Sequence, residues 1–141
     1  MQIKTIMTPD VVTVTMDDTL AHVKRLFELN SFHHILVVAE AKLVGILSDR
    51  DLFKAISPNI NTSGETNKDL ATLNKRVHQI MTRKLITIDA EKGMFHAIQL
   101  FNRHKISCLP VVNSDNKPIG ILSWRDILYF IEKNQLERHK T

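Results

Sequence analysis

Two short segments pair a hydroxyl with a carboxylate at one spacing: Ser48-Asp49-Arg50-Asp51 and Ser123-Trp124-Arg125-Asp126. A serine followed three residues later by an acid, ahead of apolar residues, is a helix-start signature. The hydroxyl accepts a backbone N–H, and the acid complements the helix dipole. A carboxylate held there can also accept both hydroxyls of a ribose diol, while the serine hydroxyl and the free helical N–H groups face phosphate oxygens. The two roles are compatible, and spacing alone favours the cap.

Other reactive residue types point to less. His33 and His34 are adjacent, and adjacent residues at a strand entry face opposite ways, so only one of them can turn toward a common metal. The chain has neither a CxxC nor an HxxxH pair, so ordinary packing or ligand contact is expected of its histidines, and no metal site. Cys108 is the only cysteine; a catalytic thiol needs a base and an orienting group, and the expected role is to fill the loop before a strand. Gly45, Gly64, Gly93 and Gly120 form neither GxGxxG nor a P-loop. Gly45 and Gly120 fall inside strand-like runs, where a glycine marks close approach by another backbone or a ligand.

The chain has 141 residues, 43% hydrophobic and 24% charged, enough for one globular unit or two half-size units sharing a core. The net charge of +4 suits small anionic ligands and lacks the dense Lys/Arg clustering of a nucleic-acid binder. No apolar run approaches a membrane span. Met1 to Asp10 carry no signal-peptide pattern and a lone cysteine precludes an internal disulfide, so a cytoplasmic location is expected.

The two Ser-x-x-Asp segments belong to a longer repeat. Ile6-Met7-Thr8 recurs as Ile80-Met81-Thr82, and the offset persists through Thr13 and Thr87, His22 and His96, and Val37-Val38 and Val111-Val112. One inserted residue later, Gly45-Ile46-Leu47-Ser48 matches Gly120-Ile121-Leu122-Ser123. In the first copy, Val11 to Val14 reads as a strand. Leu20, Val23 and Phe27 mark a helix ending near Asn30, and Ile35–Val38 and Val44–Leu47 form a hairpin around Glu40-Ala41-Lys42 before Ser48 opens a second helix. The second copy reads as strand Leu85–Ile88, helix Glu91–His104, strands Leu109–Val112 and Ile119–Leu122, and a helix from Trp124. The order is β-α-β-β-α twice, an α+β fold.

Each copy, at about 50 residues, is too small to hold a stable core alone, so the two are expected to pack as a pseudo-two-fold pair. The expected division is repeat 1 over 1–56, a linker and helical entry over 57–76, and repeat 2 over 77–141. Ser57 to Asn67 reads as a surface linker, and Asp69 to Arg76 as a helical entry into the second copy. In the last helix Ile127, Leu128 and Ile131 read as core, and the charged stretch Glu132 to Thr141 as solvated.

These motifs resemble the tandem cystathionine-β-synthase (CBS) domain pair, or Bateman module. The resemblance rests on the two Ile-Met-Thr segments, on Ile106-Ser107-Cys108-Leu109-Pro110-Val111-Val112, and on the two segments from Gly45 to Asp51 and from Gly120 to Asp126. It implies a stand-alone regulatory module without catalysis, binding AMP, ADP, ATP, S-adenosylmethionine or NAD in clefts between the copies. One site would combine Ser48 and Asp51 with Thr82, Thr87, Ser107 and Cys108; the other would combine Ser123 and Asp126 with Thr8, Thr13, His33 and His34. The first follows the family pattern more fully, because Pro110 precedes its valines where the first copy has Leu36. The resemblance also implies a homodimer and an effector protein that this sequence does not encode. The alternatives are a non-binding dimerisation module with degenerate clefts and a small enzyme acting on a nucleotide. Asp51→Ala is expected to abolish binding with little loss of fold.

Overall fold

The structure is a computed structural model and describes residues 1–139. In chain order its elements are α1 (Ile3–Ile6), β1 (Thr8–Pro9), β2 (Thr13–Val14), α2 (Leu20–Leu29), β3 (His34–Ala39), β4 (Lys42–Ser48) and α3 (Asp49–Ala55). Then follow α4 (Asn67–Ala71), short 3-10 turns at Thr72–Asn74 and Val77–Gln79, β5 (Ile88–Asp89), α5 (Met94–Arg103), β6 (Cys108–Val112), β7 (Pro118–Ser123) and α6 (Trp124–His139). The β-α-β-β-α order therefore occurs twice, in two compact units: Val12–Leu85, and Met1–Val11 together with the chain from Ile86 onward.

The unit carrying the first repeat is built on a sheet of order β2-β3-β4, β2 parallel to β3 and β3 antiparallel to β4. Thr82 adds an antiparallel bridge to Ile46 at the far edge of β4. Val14, Ile35, Val37 and Leu47 from one sheet face, with Leu20 and Val23 of α2 and Leu52 of α3, form its core. Alternation along each strand puts these residues on one side. Thr19 caps α2, its hydroxyl accepting the His22 N–H at 3.3 Å. Val77 and Met81 complete the core, and Asp69 to Arg76, expected as a helical entry into the second copy, lie in the unit of the first.

The other unit repeats the plan with order β1-β7-β6-β5, its outer pairing supplied by Thr8 and Pro9 against Ile121 and Gly120. Its core joins Ile88, Leu109, Val111 and Leu122 of the sheet to Ala97 of α5, Ile127 of α6 and Ile3 of α1. In each unit the segment carrying Ile-Met-Thr thus lies on the outer edge of a sheet from the repeat that does not follow it directly.

Several boundaries differ from the sequence reading. The first strand of each repeat shrinks to Thr13–Val14 and Ile88–Asp89, where a parallel partner is available. Helix α5 starts at Met94 rather than Glu91, because the Glu91 N–H is held by Asp89 Oδ1 at 2.8 Å in a turn. The stretch from Ser57 is tethered: the Ser57 hydroxyl donates to Asp69 Oδ1 at 2.6 Å, and a capping box between Thr66 and Asp69 starts α4. Only Ile127 of the expected α6 core stripe is buried; Leu128 and Ile131 are exposed. The charged tail continues as helix to His139, and its last two residues lie outside the described residues.

Candidate functional site

Both Ser-x-x-Asp segments sit where an antiparallel strand turns directly into a helix, and both are built alike. The Ser48 hydroxyl accepts the Asp51 N–H at 3.1 Å while the Ser48 N–H donates to Asp51 Oδ2 at 2.8 Å. The corresponding distances for Ser123 and Asp126 are 3.2 and 2.8 Å. The helix-start reading therefore holds at both segments, where the reciprocal bonds of a capping box are complete. It does not exhaust the carboxylates. Oδ1 of Asp51 and Oδ1 of Asp126 make no hydrogen bond among the described residues, and both side chains are only half-buried.

Strand register places several of the other expected residues on the same sheet face as the two serines. In the first-repeat unit Thr13 lies beside Leu36, Leu36 opposite Ile46, Ile46 opposite Thr82, and His34 opposite Ser48. Residues in register share a face, and so do residues two apart along a strand. Thr13, His34, Ser48 and Thr82 thus occupy the sheet face opposite to that of Val14, Ile35 and Leu47. In the other unit Thr8 lies opposite Ile121 and Cys108 opposite Ser123, while Thr87 immediately precedes β5 and Ser107 precedes β6. The structure therefore places Ser48 and Thr82 on one sheet face of one unit, with Asp51 bonded to Ser48, and Ser123 and Thr8 on one face of the other, with Asp126 bonded to Ser123. Thr87, Ser107 and Cys108 belong to the same unit as Asp126, and Thr13, His33 and His34 to the same unit as Asp51.

The titratable groups differ between the units. His33 is exposed, and its Nδ1 meets Asp49 Oδ2 at 2.8 Å. Half-buried His34 is held below the ordinary imidazole range, chiefly by desolvation and further by His33, against the opposing pull of Asp49 and Asp51. Burial pushes the Cys108 thiol up to about 12, so it stays protonated near neutrality and does not supply a thiolate nucleophile. Among the described residues no cluster of three or more His, Cys, Asp or Glu could hold a metal ion.

The glycines resolve into a contact that sequence reading left open. A Cβ on Gly45 would stand 2.7 Å from Met81 Sδ and 3.2 Å from the Thr82 carbonyl oxygen. Gly120 is covered in the same way by Met7 and the Thr8 carbonyl. The close approach is thus made by the Ile-Met-Thr segments. Sequence reasoning also missed the His33–Asp49 pair and the placement of the Arg125 guanidinium over the Trp124 ring, 5.5 Å from its centroid. Spacing signals neither, since each depends on rotamers at a strand–helix junction. No helix among the described residues is long and apolar enough to cross a membrane.

Comparison with known proteins places this geometry in a family. The chain is 32% identical over 132 residues to an inosine-5′-monophosphate dehydrogenase of Methanocaldococcus jannaschii; the match covers 93% of this chain and 24% of that enzyme. The first curated relatives it matches are all much longer, and it spans 19–24% of their length. Among solved structures it is similar to the CBS domain pair of protein MJ0100 in complex with 5′-methylthioadenosine and S-adenosyl-L-methionine, with TM-score 0.74 and 25% identity over 93% of this chain and 99% of that one. It is similar also to CBSX2 in complex with AMP, with TM-score 0.77 and 25% identity over 95% and 98% of the two chains. The CBS domain model matches residues 3–58 and again 77–133, and the chain accordingly belongs to the CBS domain family, of which it carries two copies.

Proposed function

We propose that the chain is a regulatory module that binds an adenosine-containing ligand and passes its occupancy to an effector protein, without catalysing a reaction. The observation that carries this reading is the unpartnered Oδ1 of Asp51, and likewise of Asp126, on a carboxylate whose other oxygen is fixed by a cap. Such an oxygen is an oriented acceptor for ribose hydroxyls, and a charge-assisted hydrogen bond contributes roughly 1.5–3 kcal/mol. Adenosine compounds bound to the CBS pairs of similar fold support the ligand class. The family resemblance assigns Thr82, Thr87, Ser107 and Cys108 to the ligand of Ser48 and Asp51. It assigns Thr8, Thr13, His33 and His34 to that of Ser123 and Asp126.

A second reading, a dimerisation module without ligand, draws on the exposed Leu128, Tyr129, Ile131 and Leu136 of α6, because the family commonly dimerises through such helices. The two are separated by the melting temperature of the ligand-free protein against AMP, ADP, ATP, S-adenosylmethionine and NAD. A ligand at about 100 times its Kd adds about 2.7 kcal/mol, a rise of roughly 5–10 °C for a chain of this size. A rise lost in Asp51→Asn or Asp126→Asn supports the sensor and identifies its working carboxylate. A flat panel supports the dimerisation module.

A further inference from the structure

His34 opens β3 directly opposite Ser48. The neighbouring ladder bond runs from the Asp49 N–H to the His33 carbonyl at 3.0 Å. His34 and Ser48 therefore form a pair without mutual hydrogen bonds, the arrangement in which cross-strand side chains come closest. The half-buried imidazole makes no hydrogen bond among the described residues. The charged groups acting on it are Asp49 and Asp51 of α3 and His33 at the entry to β3. Asp49 already holds His33 through Oδ2, whereas Asp51 keeps Oδ1 unpartnered.

We propose that His34 is a proton-operated gate on the Asp51 site: as the neutral imidazole it leaves Asp51 Oδ1 free for ligand hydroxyls, and as the imidazolium it pairs with the α3 carboxylates and competes for that oxygen. The gate rests on the reading of Asp51 as the ribose acceptor. Desolvation keeps His34 neutral near neutrality, so the site is open there and closes as the medium turns mildly acidic. The corresponding position opposite Ser123 is Cys108, whose thiol carries no charge over this range. Within its own unit, acidity thus acts through His34 on the Asp51 carboxylate, while Asp126 has no ionising cross-strand neighbour at that position; the contact of His34 with the ligand of Asp126 that the family resemblance assigns is a separate role, absent in an Asp126→Asn background.

The test measures adenosine affinity by calorimetry between about pH 7.5 and about pH 5.5 in an Asp126→Asn background, which leaves Asp51 as the intact carboxylate. Adenosine has no titrating phosphate. Its affinity is expected to fall by a small factor toward the acid end, as the neutral fraction of His34 falls, with release of a proton on binding. The same protein carrying His34→Asn is expected to bind equally at both ends. Binding that ignores pH, or a slope that persists in His34→Asn, overturns the gate alone. No binding at any pH overturns it together with the ligand reading. A second measurement needs no ligand: the imidazole C–H resonance of His34, followed through its titration, is expected to report a lower pKa in Asp51→Asn. An unchanged value overturns the pairing.

Discussion

Met81 lies directly over Gly45, so close that a Cβ there would stand 2.7 Å from its Sδ. The methionine of one repeated motif and the glycine of the other are thus two halves of a single contact. The antiparallel bridge between Ile46 and Thr82, with N···O distances of 2.9 and 3.1 Å, continues it. This contact sets Thr82 on the same sheet face as Ser48, and Met7 over Gly120 does the same for Thr8 and Ser123.

Gly45→Val is expected to lower stability by about 1–3 kcal/mol through overpacking. Met81→Ala alone costs about 2–5 kcal/mol by opening a cavity. Because the valine refills part of that space, the double variant is expected to be less destabilised than the two costs added, by about 1 kcal/mol or more. Urea unfolding of the four proteins measures the coupling, and strict additivity would show that the two side chains do not meet.

Asp51→Ala carries a structural cost that sequence reading did not assign. The carboxylate accepts the Ser48 N–H at 2.8 Å, and losing such a cap typically costs about 0.5–2 kcal/mol. A Tm lowered by a few degrees in the absence of ligand is the expected result. Asp51→Asn, which retains an acceptor oxygen, is expected to melt closer to the parent, and for that reason it is the better variant for binding assays.

The hairpin between β3 and β4 turns through Glu40 and Ala41, with φ of 51° and 65°. Ala39 pairs with Lys42 across this two-residue turn, a geometry that glycine adopts without a Cβ penalty. Ala41→Gly is expected to raise stability by about 0.5–1 kcal/mol, after allowance for the greater freedom of glycine in the unfolded chain. Thermal melting checks it, and a lower Tm would contradict the left-handed conformation at Ala41.

The pH dependence of folding follows from His34. Its folded-state pKa lies below the ordinary 6.5, so in the interval between the two values the unfolded chain binds more protons. The resulting stability is fully present above the unfolded pKa and is lost as pH falls through the folded one. The urea midpoint is expected to drop more from neutral to mildly acidic buffer in the parent than in His34→Asn; equal drops would remove His34 as the cause.

Much of this arrangement was legible in the sequence because it is local or repeated. The cap of Ser48 and Asp51, the helix at Leu20–Leu29 and both hairpins declare themselves through spacing and alternation. The single inserted residue falls in the second hairpin, where Val112 pairs with Pro118 across a longer loop than separates Val38 from Leu43. Non-local relations were not legible. Nothing in the types of Ile3, Val77 and Met81 says which repeat's core they complete. Leu85 to Ile88 has strand composition, yet the strand begins only at Ile88, where β6 offers a partner. Leu128 and Ile131 lie within four residues of Ile127 and match it in polarity, so their exposure follows from the packing of α6 and not from the residues themselves.

The most direct test of the account compares AMP with its 2′,3′-dideoxy analogue by calorimetry, in the parent, Asp51→Asn and Asp126→Asn. If a carboxylate oxygen accepts the ribose diol, removing both hydroxyls costs two charge-assisted hydrogen bonds of roughly 1.5–3 kcal/mol each, a loss of about a hundredfold or more in Kd. That loss is expected to vanish in the variant whose carboxylate is the acceptor. Equal affinities for AMP and the dideoxy analogue in the parent would contradict the role assigned to Asp51 and Asp126.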